Sequence, residues 1–130
     1  MKIMKTSLMY YLLAENYGGT IKVIGQETLE KVKEFYGVEV LRKLESSGLY
    51  LREEEFGITT LVLSNFNLSF NIFETMPGVV TEEGLLEYIT SYMKENGMWP
   101  TEKPIDEITR YSIDGVLPKF VEAGLLEVSV

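Results

Sequence analysis

The sequence contains no cysteine and no histidine, and a single tryptophan. Without cysteine there is no disulfide framework and no thiolate metal site. Without histidine the usual zinc ligands, the Ser-His and Cys-His dyads and the commonest general base at neutral pH are all missing. Carboxylates, Lys, Tyr and Ser remain for catalysis, and every soluble protein carries those. The composition argues against an enzyme, and no catalytic residue, cofactor or metal ligand is assigned. Positive charge is scarce too, with 12 Lys and Arg against 20 Asp and Glu and a formal net charge of -8. Long hydrophobic runs are also lacking. The opening MKIMKTSLMYYLLAENYGG has two lysines and a short apolar run, but Glu15 and Asn16 break it and no small-residue cleavage site follows. It does not read as a signal peptide. The uncharged stretch from Ile58 to Phe73 is too short and too rich in Asn, Ser and Thr to span a bilayer. The expected setting is the cytoplasm, with no membrane contact.

What is present fits a folded protein. The chain has 130 residues and 45% hydrophobic content, enough for one ordinary domain or two very small ones sharing a core. An internal repeat appears at an offset of 76. Val40, Leu41, Lys43, Gly48 and Leu49 align without a gap on Val116, Leu117, Lys119, Gly124 and Leu125. The same offset places Leu29 and Val32 on Ile105 and Ile108, and Met9 and Leu13 on Leu85 and Ile89. Three apolar segments in one order at one spacing are the mark of a duplicated unit.

Each half then predicts three helices. In residues 1–75 these are Thr6 to Asn16, Gln26 to Tyr36 with Leu29, Val32 and Phe35 inward, and Val38 to Ser47. In residues 76–130 they are Thr81 to Asn96, Pro104 to Tyr111, and Ile113 to Ala123. Thr81 is placed as an N-cap, Asn96-Gly97 as a stop, and Gly48 and Gly124 as left-handed helix ends. After Gly48 two β-rich runs flank a charged tip with Gly57, which predicts a hairpin. Three helices followed by a hairpin is the winged-helix pattern. The second half shows only the strand Leu125 to Val130 and reads as a wingless unit. The expectation is α+β: tandem winged-helix units packed as one body, with the boundary at Glu74 to Gly78. Residues Asn65 to Phe73, NFNLSFNIF, alternate apolar and polar and predict an extra strand in the first unit. That strand either packs between the halves or pairs with another chain.

The second half resembles the N-terminal winged-helix domain of LexA-type repressors. The resemblance rests on apolar spacing plus Asn96, Gly97, Pro100, Thr101 and Gly124, over about 50 residues. It implies a winged-helix fold and, by analogy, DNA binding, but fold does not fix function. The departures lie where function would be. Pro100 to Gly124 is about one helical turn shorter than in that family, and Pro118 falls within the helix that would enter the groove.

Charge decides between DNA and protein as the partner. Residues 76–130 carry four basic and ten acidic side chains, and residues 1–75 eight and ten. A polyanion finds its affinity in Lys and Arg. The candidate nucleic-acid contacts are therefore Lys31, Lys33, Arg42 and Lys43 in the first unit, interleaved with Glu30, Glu34, Glu39 and Glu45. A solvated helix face of mixed charge accounts for the same pattern. Glu53, Glu54 and Glu55 at the hairpin tip would repel phosphates. Phe66, Phe70, Ile72 and Trp99 are the candidate partner interface, while Tyr10, Phe35, Tyr88 and Phe120 are expected in the core. Carboxylates at Glu53 to Glu55, Glu82, Glu83, Glu87, Asp106 and Glu107 could mimic phosphates, but show no cation-loop pattern. The expected function is a non-enzymatic regulator or adaptor acting by protein contact in transcription, replication or another nucleic-acid-processing setting. The alternatives are a sequence-specific DNA-binding regulator using the first unit, with a homodimer as one form, and an acidic DNA mimic.

Overall fold

The computed structural model describes residues 1–15, 21–64, 67–96 and 111–130, with backbone alone at 67–69, 111 and 112. It is an α+β structure, with two three-stranded sheets among the described residues. The chain starts with a strand that the sequence pattern did not announce, β1 (Lys2–Lys5), followed by α1 (Ser7–Glu15). A two-residue strand, β2 (Val23–Ile24), leads to α2 (Gln26–Tyr36) and α3 (Val38–Ser46). The hairpin of β3 (Tyr50–Glu55) and β4 (Ile58–Leu63) follows. Then come α4 (Asn67–Thr75), β5 (Val79–Thr81), α5 (Glu82–Glu95), α6 (Leu117–Glu122) and β6 (Leu126–Ser129).

The two sheets divide the chain unevenly. One has the order β2-β4-β3 and lies within the first half. The other has the order β5-β1-β6, so a strand from the start of the chain sits between two strands of the second half. Both pairings are antiparallel, with Ile3 opposite Val80 on one side and Val128 on the other. Ile3 is fully buried. The lacing continues past the strand. The Lys5 amide donates to the Gly78 carbonyl at 2.8 Å and the Thr6 amide to the Leu125 carbonyl at 3.1 Å. The Thr6 hydroxyl lies 2.6 Å from the Gly124 carbonyl and accepts from the Met9 amide, so it caps α1 while tying it to the second half.

The 76-residue offset recurs in the geometry. Gly48 and Gly124 both take positive φ, 79° and 81°. Leu49 and Leu125 are both fully buried, and β3 and β6 begin 76 residues apart at Tyr50 and Leu126. β1 and β5 are related in the same way, each running into the first helix of its half. Thr81 caps α5 as expected, its hydroxyl accepting from the Gly84 amide at 3.0 Å. The expected helix Ile113 to Ala123 is not uniform. A π-helical stretch over Tyr111–Val116 precedes α6, which places Pro118 in the first turn of the α-helix, where its missing N–H is tolerated. The expected helix Pro104 to Tyr111 lies outside the described residues except for Tyr111, as do Gly97, Pro100, Thr101, Asp106 and Glu107.

The extra strand expected over Asn65 to Phe73 is instead the helix α4. Phe70, Ile72, Phe73 and Met76 are all buried, so apolar residues occupy more than one face and a two-residue period mimics the buried helix. Phe70 and Phe73, three apart on one face, both meet Phe120 of α6 with ring centroids 5.3 and 5.2 Å away. Phe70 also meets Tyr50 of the hairpin edge-on at 6.4 Å. The α4 helix is therefore wedged between the halves, and one continuous core joins residues of both. Two expected core aromatics are misplaced by the sequence: Phe35 is 63% exposed and Tyr10 51%. Each flanks its helix's apolar stripe, and Phe35 packs only edge-on against Tyr11 at 6.0 Å.

Beside α4 lies a buried polar junction. The Glu74 carboxylate accepts from the Ile21 amide at 3.2 Å, and its backbone carbonyl accepts from the Lys5 ammonium at 2.7 Å. The Tyr50 hydroxyl donates to the Ile21 carbonyl at 2.8 Å. Four segments meet there: β1, the approach to β2, the hairpin and α4. Burial pushes the Lys5 ammonium below its usual pKa, with Glu74 opposing. Burial also pushes the Tyr50 phenol far above its usual range, and the negative Glu74 adds to the rise.

A fragment ending at Thr75 loses both neighbours of β1 and the Phe120 ring, so it should show no cooperative melt by circular dichroism and should associate in sedimentation. In the full chain Phe120→Ala should cost about 3–5 kcal/mol in urea denaturation. The Tyr50 phenol has a raised pKa when folded and ionises near about 10 when unfolded, so its stabilisation is complete below that pH and lost as pH rises above it. Stability measured by urea from pH 8 to 11 should fall at the alkaline end, and Tyr50→Phe should flatten the fall.

Candidate interaction surface

The four basic candidates lie in different local surroundings. Lys31 turns onto α1 and pairs with Glu15 at 3.2 Å, and that hydrogen bond holds its ammonium above the usual lysine range. Arg42 pairs with Glu39 one turn earlier on α3 at 2.9 Å. Lys33 is exposed on α2. Lys43 lines a groove of about 220 Å³ with Thr6, Ser7, Tyr36, Val40 and Ala123, between α1, α3 and the end of α6. Both groups in the Lys31 and Arg42 pairs are solvent-accessible, so each pair adds little stability. Their effect is to cancel positive charge on the first half of the chain.

The aromatic and apolar candidates fare differently. Phe70 and Ile72 are fully buried by the halves of the chain itself, which removes them as partner contacts. Phe66 and Trp99 lie outside the described residues. Of the acidic candidates, Glu82 and Glu83 sit in the first turn of α5, where carboxylates complement the helix dipole. Among the described residues no group of three or more Asp and Glu could hold a metal ion, and no helix is long and apolar enough to cross a membrane.

Exposed apolar side chains occur at Tyr10, Phe35, Val38 and Val79, and a further group of them lies on the hairpin and β2. Tyr50, Arg52 and Glu54 share one face of β3 with Leu63, Leu61 and Thr59 of β4. At its base that face is core. Toward the tip Arg52 reaches Glu54 at 2.7 Å and Glu45 at 3.9 Å. The opposite face carries Leu51, Glu53 and Glu55 across from Val62, Thr60 and Ile58, with Val23 of β2 beside Val62. Leu51, Ile58 and Val23 are each more than half exposed. A shallow hollow of about 250 Å³ lies between Glu53, Glu55, Phe56, Ile58 and Thr60. β3 is also an edge strand, and exposed edges recruit partners.

The turn itself is unusual. Glu55 pairs with Ile58, leaving Phe56 and Gly57 as a two-residue loop with φ of 51° and 77°. Positive φ at both central residues belongs to the I′ turn, whose favoured pair is Asn-Gly. Phe56 holds that conformation against its Cβ, at a cost of about 1 kcal/mol, and is 94% exposed. It gains no burial in return. Sequence reasoning missed this residue, although the signal was in REEEFGIT: a large aromatic where the turn prefers Asn.

No protein-family model matches the chain, and no curated protein or solved structure does either. The surface is therefore interpreted from its own chemistry. If Phe56 is kept for contact rather than for folding, Phe56→Asn should leave the protein as stable or raise its stability by up to about 1 kcal/mol in urea denaturation. A clear loss of stability would show that the ring packs in the folded state after all.

Proposed function

We propose that this protein is a non-enzymatic adaptor or regulator built on tandem winged-helix-like units, acting by protein–protein contact within a cytoplasmic nucleic-acid-processing complex. The topology of the first unit supports the scaffold: α1, β2, α2, α3, then the β3–β4 hairpin, with β2 paired to the far strand β4. On such a scaffold α3 would enter the major groove and the hairpin would lie along phosphates. One observation carries the choice of protein over DNA. The hairpin presents Glu53, Glu54 and Glu55 around an exposed Phe56, while Arg42 on α3 is already paired with Glu39. Phosphates would meet like charge there, whereas exposed aromatic and aliphatic groups are what protein interfaces bury. The second unit, with four basic and ten acidic residues, offers DNA still less.

The test is a mobility shift on mixed-sequence duplex DNA across a salt series. No shift is expected even at low salt, where phosphate contacts are strongest. A shift that weakens steeply with salt, and disappears when Arg42 and Lys43 are both changed to Ala, would establish the DNA-binding regulator instead.

A further inference from the structure

Resting on the protein-contact reading, we propose that the outer face of the hairpin takes a basic, apolar segment of another protein. A Lys or Arg side chain of that partner sits between Glu53 and Glu55 against the ring of Phe56. The arrangement is local and complete. Glu53 and Glu55 are two apart on one strand, so both carboxylates project from the same face, roughly 7 Å apart, and both line the hollow with Phe56 and Ile58. Glu54 points the other way and is satisfied by Arg52. Among the described residues no cation pairs with Glu53 or Glu55. Two unneutralised carboxylates beside an aromatic face and an aliphatic side chain fit a long cationic side chain. Its stem covers Ile58, its charged head takes the carboxylates, and the ring adds a cation–π contact.

Charge complementarity selects the occupant. A second copy of this chain brings net charge -8 and the same glutamates to the contact. Nucleic acid brings phosphates. Both place like charges opposite one another, which disfavours the complex. A basic partner reverses the sign, and its apolar residues find Leu51 and Val23 at the base of the same face.

The probe is a peptide of sequence Arg-Leu-Arg-Leu-Arg, titrated into the isotope-labelled full chain and followed by amide chemical shifts. The amides from Leu51 to Thr60 should move saturably, and binding should weaken as salt rises from about 50 to about 500 mM. Glu53→Gln with Glu55→Gln should lower the affinity at least about tenfold, as should Phe56→Ser. All three side chains are exposed, and a thermal melt checks that each variant still folds. A Glu-Leu-Glu-Leu-Glu peptide that binds equally well, or a double Gln variant that binds like the wild type, overturns the proposal. In that case the hairpin binds by apolar contact alone, and the protein-contact reading survives. Shifts located away from the hairpin, or none with any peptide, also overturn the proposal. The DNA mobility shift judges the broader reading independently.

Discussion

The structure depends on where β1 goes. Four residues, Lys2 to Lys5, form the middle of a sheet whose other strands begin at Val79 and Leu126. Removing either neighbour uncovers one side of the strand that carries the buried Ile3 and leaves the backbone groups on that side unpaired. The chain can be described as two halves, yet it cannot be cut between them. Contacts of such sequence separation also require large loops to close before they stabilise anything, so this sheet is expected to form late in folding.

The repeat explains why β1 takes that place. Under the 76-residue offset Ile3 corresponds to Val79 and Met4 to Val80. In the structure Ile3 pairs with Val80 and Met4 with Val79. The β1–β5 ladder thus exchanges equivalent residues, as a two-fold symmetric contact between separate subunits would. The symmetry breaks one strand further out. β3 and β6 are equivalent, but β3 is paired by β4 of its own hairpin, while β6 pairs with β1. In the second half the place beside β6 is taken by β1.

Much of this was legible in the sequence, and the failures have physical causes. The helices α2, α3 and α5 and the hairpin follow from amphipathic spacing, Thr81 and the left-handed glycines. The repeat placed Leu49 and Leu125 correctly. β1 was illegible because a four-residue strand is defined by partners 75 or more and 121 or more residues away, not by its own pattern. α4 read as a strand because a helix buried between two bodies is apolar on more than one side, which erases its period. Arg42 has Glu39 three residues earlier on its own helix, a pair the spacing already shows, but Lys31 is neutralised by Glu15 only in space. The winged-helix resemblance weighed the second half most heavily, whereas the contact surface proposed above lies in the first.

The contrast between α4 and the hairpin indicates how the chain separates stability from contact. α4 places Phe70 and Phe73 against Phe120 of the second half, and Glu74 where its carboxylate and carbonyl hold two other segments. Those positions tolerate no outside partner, because any residue drawn to the surface leaves a cavity or an unpaired buried polar group. The hairpin tip has the opposite properties. It carries Phe56 in a conformation that favours Asn or Gly, and it shares little of the core, so the cost of that choice stays local. A strained, exposed aromatic among unneutralised carboxylates does nothing for the folded chain alone. Under the proposed docking it gains a physical role when a partner desolvates the ring and brings positive charge to the glutamates.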